Sequence, residues 1–239
     1  MVSAEKSLRK IVYPGYNAGA RERGRKEMSA AYEYDDIAEG VFLPIYAVIC
    51  DDIIKATGIT SGILLDIGCG GGHLGLTMLQ KSDFKVGLLC DINPEAIKIA
   101  RARAYEWHLS DRAKAVLQDV HHMDFADNYA DLIISRGSMG FWADQTADFQ
   151  EIYRVLKPGG KTYIGVGLGN KETMEAIVVQ MRKTEPDWPK SVKKRQNALS
   201  SDKYQDLFRE MGFDFDIIDD PDKGRWFIIK KPLESGASE

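Results

Sequence analysis

Five short apolar runs separated by segments of helical spacing constrain this chain more than any other feature. The runs are Gly62 to Ile67, Lys85 to Ile92, Ala113 to Leu117, Ala130 to Ile134 and Lys161 to Val166. Each is too short for a helix and has the length of a buried strand. Between them lie helical patterns: His73 to Lys81, then Ile97, Ala100, Arg101 and Ala104 at helical spacing, then Asp148 to Leu156. Asn93-Pro94 supplies an N-cap followed by a proline at the first helical position. Lys157-Pro158-Gly159-Gly160 reads as the turn that ends one helix and launches the fifth strand. Strands that alternate with helices build a parallel sheet covered on both faces, an α/β fold.

The flanks read differently. Residues 1–60 are helical in pattern, and Pro44 should start or kink a helix between Val41 and Thr57. After the fifth run, Met174, Ile177, Val178 and Met181 keep the spacing of an amphipathic helix, which packs a core. Glu185 to Asn197 is polar, with two prolines, and reads as a long loop. Ser200 or Ser201 can cap a helix holding Leu207, Phe208 and Met211. Phe213 to Ile218 and Arg225 to Ile229 read as two strands. Their connector, Asp-Asp-Pro-Asp-Lys-Gly, is too short for a crossover helix, so the pair must be antiparallel. The organisation expected is a helical cap over 1–60, a core over 61–232 with a cap insertion near 168–205, and a disordered tail over 233–239.

Charge and cysteine usage exclude several classes. The 239 residues carry a net charge of −4, which lacks the basic footprint of a nucleic-acid binder. Two local clusters, Arg21, Arg23, Arg25 and Lys26, then Lys190, Lys193, Lys194 and Arg195, read as solvated surface or as docking sites for an anionic partner. Three cysteines, Cys50, Cys69 and Cys90, form no CxxC pair. That argues against a disulfide framework or a metal centre and for a reducing cytoplasm. MVSAEKSLRK lacks the apolar core of a signal peptide, and no apolar run is long enough to span a membrane.

The chemistry concentrates in LLDIGCGGGHLG, Leu64 to Gly75. A buried strand ends at Asp66, and four glycines, Gly68, Gly70, Gly71 and Gly72, lead into a helix. Glycines let the chain turn tightly and let a ligand approach the backbone. The third glycine of a dinucleotide fingerprint is replaced by His73. A carboxylate at Asp66 would repel a pyrophosphate but accept hydrogen bonds from an ammonium. Asp91 ends the next strand, where a carboxylate can accept both hydroxyls of a ribose. Asp119, in LQDVHHMDF, stands after the third strand and can accept from an exocyclic amine. Three acids at successive strand ends suit a ligand with ammonium, ribose and adenine parts. The plainer alternatives are a helix cap for Asp66, a turn acid for Asp91 and an exposed loop residue for Asp119.

These motifs resemble those of the class I S-adenosylmethionine-dependent methyltransferases, over roughly Tyr34 to Lys231. LDIGCGGG is similar to the family's first motif, CDINPEAIKIAR to its second and QDVHHMDF to its third. EIYRVLKPGGKTYI is similar to the segment before its fifth strand, in the branch that holds the small-molecule methylases of quinone biosynthesis. The resemblance implies a Rossmann-like, doubly wound seven-stranded sheet of order 3-2-1-4-5-7-6, strand 7 antiparallel, with an N-terminal helical lid. It implies S-adenosyl-L-methionine as cofactor. Asp66 and the backbone of Gly68, Gly70 and Gly72 would hold its methionine part and ribose edge. Cys69, inside that turn, joins the cofactor contacts as a small packed residue. Asp91 would take the ribose hydroxyls, Ile92 would pack on adenine, and Asp119 with the Val120 backbone would read the adenine edge. Ser135 and Arg136 would end the fourth strand beside the transferable methyl. The lid would be drawn from Lys6 to Thr57 and Met174 to Leu207.

Methyl transfer from a sulfonium is an in-line displacement with a neutral leaving group, so alignment and exclusion of water matter more than an oxyanion hole. The stretch SRGSMGFW, Ser135 to Trp142, should face cofactor and substrate at the fourth strand's carboxyl end. It lacks the Asn/Asp-Pro-Pro-aromatic signature of enzymes that methylate amino groups of adenine or glutamine, and the Pro-Cys of cytosine C5 methylases. Arg136 there could grip an anionic substrate or the cofactor carboxylate, or pair with an acid such as Asp144. His122 is preferred over His121 as a candidate general base. Trp142 and Phe141 read as core residues. In YDDIAEGVF, Tyr34 to Phe42, Val41-Phe42 stand where the branch carries Tyr-Asp, so Arg136 or a residue from Tyr13 to Arg25 could take over the carboxylate contact. The activity expected is methylation of a small-molecule acceptor. A protein or RNA acceptor and a non-catalytic cofactor sensor are the alternatives.

Overall fold

The computed structural model describes residues 30–188 and 200–233. The two basic clusters, the first part of the expected lid and the tail beyond Leu233 fall outside the described residues.

Seven strands form one sheet: β1 (Ser61–Ile67), β2 (Asp83–Asp91), β3 (Ala113–Leu117), β4 (Ala130–Arg136), β5 (Leu156–Val166), β6 (Asp214–Asp220) and β7 (Gly224–Lys230). Their order is β3-β2-β1-β4-β5-β7-β6. The first five run parallel, and β7 is antiparallel to both β5 and β6. The short last connector dictates that reversal, since six residues cannot carry the chain back to the far edge.

Alternation along each strand sorts the core into two layers. Leu64, Leu132, Ile134, Trp226 and Ile228 face one side, and Leu65, Ile133, Phe227 and Ile229 the other. The first side is covered by α1 (Ala30–Gly40), α2 (Leu43–Thr57), α3 (His73–Gln80), α4 (Pro94–Glu106) and α6 (Lys171–Met181). The second is covered by α5 (Gln145–Val155) and α7 (Ser201–Glu210). Between α5, α7 and β7, Phe149 stands edge-on to Phe208 at 4.8 Å and Phe208 edge-on to Phe227 at 5.4 Å, the geometry that favours aromatic pairs.

Local chemistry fixes the boundaries. Pro44 starts α2 in its first turn rather than kinking it. Asn93 Oδ1 accepts the Glu95 N–H at 2.9 Å and, with Pro94 behind it, starts α4. Asp144 caps α5 by accepting from the Thr146 and Ala147 N–H groups. β4 ends at Ser135 and Arg136, as the family resemblance implies. Among the boundaries that depart from the sequence reading are two that follow β4. The helix expected at Asp148 to Leu156 begins earlier, at Gln145, because Asp144 caps it. Lys157 to Gly160 is a loop-out inside β5: Ala130 pairs with Leu156 and Leu132 with Lys161, so the strand resumes its register past the extra residues. On α4, Arg101 is exposed and Arg103 is the buried arginine.

Candidate active site

The turn after β1 is shaped by three left-handed glycines, Gly68, Gly70 and Gly72. Gly68 is demanded by space as well as by φ, since a Cβ there would run into the Ser138 side chain. Asp66, at the end of β1, is 1% exposed. Its Oδ2 accepts the Gly75 N–H at 2.9 Å, in the first turn of α3. Burial raises its pKa to about 7; the Gly75 hydrogen bond opposes the rise and the Asp91 charge adds to it. Asp66 therefore both caps α3 and presents a carboxylate to the cleft. Asp91 Oδ2 accepts the Gly70 N–H and Oδ1 the Asn93 N–H, both at 2.9 Å. Those bonds hold the glycine turn against the start of α4. They occupy one lone pair on each oxygen, and a carboxylate has about four acceptor sites. Cys69 lines the same cleft, and burial pushes its thiol well above the ordinary range, which keeps it protonated.

That cleft is lined by Asp66, the turn from Gly68 to Gly71, His73, Leu74, Tyr34, Tyr46 and Arg136. Arg136 does not pair with Asp144, whose Oδ1 is engaged in the α5 cap. Its guanidinium carbon lies 4.9 Å from the Phe42 ring centroid and 5.6 Å from that of Tyr46, and its Nε donates to the Gly167 carbonyl at 3.1 Å. Aromatic faces orient the guanidinium without neutralising it. Among the described residues no carboxylate lies in ion-pair range of it. Phe42 thus serves as a platform for the arginine, where the related branch carries an aspartate.

The remaining expected site residues lie at the rim or in the core. Ile92 is 65% exposed at the tip of β2. Val120 is buried, and Asp119 is half exposed, its Oδ1 accepting from the His121 backbone N–H at 3.0 Å and lying 2.8 Å from the His121 ring Nδ1. Two expected residues stand away from the cleft lining. Ser135 is fully buried near the end of β4, its Oγ 2.6 Å from Ser138 Oγ in the turn that follows, and it lies outside the cleft lining. His122 is exposed and outside the cleft lining, and the histidine engaged with acids is His121. Of the aromatics, Trp142 packs edge-on to Phe149, whereas Phe141 is 82% exposed.

One part of the site escaped the sequence reading. Arg103, 2% exposed, forks onto Asp35 with Nη1–Oδ1 at 2.9 Å and Nη2–Oδ2 at 2.8 Å. The same guanidinium bonds Glu39 and donates to the Gly71 carbonyl. His73 Nε2 lies 3.3 Å from Glu39, and the ring stacks on Tyr46 at 5.1 Å. Burial pushes the His73 pKa down, with the Glu39 hydrogen bond opposing. The His73 hydrogen bond and the Arg103 charge hold Glu39 well below the usual carboxylate range, against the cost of burial. Helix α1 is thereby clamped to the glycine turn and to α4. The available signal was spacing: Ala96, Ala100 and Arg103 share one stripe of α4, and Asp35 and Glu39 stand one turn apart on α1.

Comparison with known proteins places this geometry. A methyltransferase-domain family model matches residues 65–164. A solved structure from Methanococcus maripaludis, described as an S-adenosyl-L-methionine-dependent methyltransferase, is 38% identical, with a TM-score of 0.80, over 89% of this chain and 100% of that one. The chain belongs to the S-adenosyl-L-methionine-dependent methyltransferases. Its cofactor is S-adenosyl-L-methionine, and the acids and glycine turn of the cleft offer the donor and acceptor groups that such a molecule needs. Among curated relatives, a sterol 4-C-methyltransferase of Caenorhabditis elegans is 37% identical over 41% of this chain. A 2-methyl-6-phytyl-1,4-hydroquinone methyltransferase of Spinacia oleracea is 30% identical over 41%. The match spans 28% of the length of each of those two proteins. No helix among the described residues is long and apolar enough to cross a membrane.

Proposed function

We propose that this methyltransferase carries a methyl group from S-adenosyl-L-methionine to a small-molecule acceptor. The observation that carries the reading is the pairing of opposite charges in one cleft: the Asp66 carboxylate and the aromatic-seated Arg136 guanidinium. An α-amino acid end carries an ammonium and a carboxylate, and these two side chains match them. When bound, the cofactor supplies the electrophilic sulfonium methyl. Asp66 accepts from the ammonium and Arg136 grips the carboxylate. The free lone pairs of Asp91 take the ribose hydroxyls, Ile92 covers one face of the adenine, and Asp119 with the Val120 backbone reads its edge. Since the leaving group is neutral, the residues act by orientation and by shutting out water. Helices α1 and α2, which bring Tyr34 and Tyr46 to the cleft, contribute to that enclosure.

The small-molecule acceptor is supported by the relatives named for a hydroquinone and a sterol, and by a net charge of −4, which disfavours a polyanionic acceptor. A cytoplasmic location is supported by three cysteines, all of them free thiols.

Incubating the protein with methyl-labelled cofactor and a cell extract, then splitting the extract into small-molecule and polymer fractions, tests the acceptor class. Label in the small-molecule fraction is expected. Label confined to polymer would replace this reading with a macromolecular acceptor, and tight cofactor binding without label in either fraction would replace it with a sensor. Arg136→Ala should weaken cofactor binding by roughly ten- to a hundredfold, the loss of a charge-assisted bond pair, with an unchanged melting temperature. Unaltered affinity would remove Arg136 from the cofactor's carboxylate.

A further inference from the structure

Asp148, in the first turn of α5, is fully buried. Neither of its carboxylate oxygens has a hydrogen-bond partner among the described residues. A buried carboxylate left this way is costly and calls for a role. The basic group facing it is His121, with Nδ1 3.5 Å from Asp148 Oδ1. That same Nδ1 lies 2.8 Å from Asp119 Oδ1, so one imidazole stands between the exposed acid of the β3 tip and the buried acid of α5. Asp144, the cap of α5, adds its charge to both His121 and Asp148. These three acids are the groups that face the ring. They raise the His121 pKa, the Asp119 hydrogen bond first and then the charges of Asp148 and Asp144. Burial in turn lifts Asp148 to about 6, with His121 opposing.

We propose that His121 and Asp148 are positioning residues for the adenine end of the cofactor: Asp148 anchors the imidazole, and the imidazole holds Asp119 by Oδ1, leaving Oδ2 for the exocyclic amine. This rests on the assignment of Asp119 to the adenine edge. No bond to Oδ2 occurs among the described residues, and both donors on Oδ1 come from His121. Without the ring the half-exposed carboxylate would rotate freely, and the amine would have to order it on binding. The bond is strongest while the ring is charged. The hold is therefore full below the raised His121 pKa and weakens as pH rises through it.

Calorimetric titration with S-adenosylhomocysteine and with S-inosylhomocysteine, whose purine has a carbonyl in place of the amine, isolates this contact. The wild-type protein should prefer the adenosyl ligand, and the preference should fall with rising pH. His121→Ala and Asp148→Asn should each cut the preference by about fivefold, with the inosyl affinity unchanged. Asp148→Asn should also move the pH midpoint downward, because the charge that favours the imidazolium is gone. His121 is exposed enough that its variant keeps the fold, which a melting curve verifies. If both variants keep the wild-type ratio and midpoint, the positioning role is overturned while the proposed function stands. Equal binding of both ligands by the wild-type protein would overturn the assignment of Asp119 and the inference with it. Binding of neither would overturn the proposed function itself.

Discussion

Asp66 carries two duties that pull its proton in opposite directions. As the partner of the Gly75 N–H it is a carboxylate, and as a 1% exposed group it is pushed toward the acid form, with a pKa of about 7. An incoming ammonium would tip the balance to the carboxylate, so cofactor binding below that pKa must expel a proton. The affinity for S-adenosylhomocysteine should therefore rise between about pH 5.5 and 7, by up to about tenfold per pH unit, and level off above. Titrations in buffers of different ionisation enthalpy should show the released proton, and Asp66→Asn should abolish both effects. An affinity that stays flat over that window would separate Asp66 from the ammonium. The sequence placed this acid at the strand tip because its position before the glycines is local information. It preferred His122 over His121, because what sets His121 apart is Asp148, which lies 27 positions along the chain on α5 and meets the β3 tip only in the folded chain.

At the scale of elements, the join between α1 and the glycine turn is a buried ionic clamp. Arg103 and Asp35 are 2% and 1% exposed, and their paired bonds span 68 residues of sequence. Breaking a buried pair by deleting one partner leaves the other charge stranded, at a cost of about 3–5 kcal/mol. Arg103→Met should lower unfolding stability by that amount in urea, and Asp35→Asn by a comparable amount. The double variant should recover part of the loss, since neither charge is then orphaned. Additive losses in that cycle would deny the clamp. Because Arg103 also holds the Gly71 carbonyl, the single variant should weaken cofactor binding even where it remains folded. Strands and helices were legible in the sequence because periodicity is written locally. The clamp was not, since a charged residue on an apolar stripe reads as surface until its distant partner is known. The loop-out at Lys157 to Gly160 was legible as a turn, but its place inside β5 depends on pairing with β4.

For the molecule as a whole, the sheet order follows from alternation, the short final connector and the family motifs together, and the two-layer core follows from the two faces of each strand. What this architecture adds is a pair of acids buried at the carboxyl ends of the strands and the neighbouring helix start. Asp66 and Asp148 titrate near 7 and 6, against 3.8 for an ordinary aspartate. The folded state thus holds protons that the unfolded chain has already lost, and stability falls as pH rises wherever that is so. The contribution is fully present below pH 3.8 and gone above about 7. His73 and Glu39, shifted downward, act in the opposite sense and obscure the trend in the wild-type curve alone. Comparison with the Asp66→Asn, Asp148→Asn double variant cancels them, because both proteins share those groups. Urea unfolding of the two proteins without cofactor, from about pH 4 to 8, should show the double variant gaining on the wild type by about 3 kcal/mol or more in sum. Adding S-adenosylhomocysteine should shrink that gain, since its ammonium relieves the strain at Asp66 in the wild type alone. A difference that is constant with pH would mean that both carboxylates reach water in the folded state. The cleft would then lack the buried negative charge on which the recognition of a sulfonium amino acid depends.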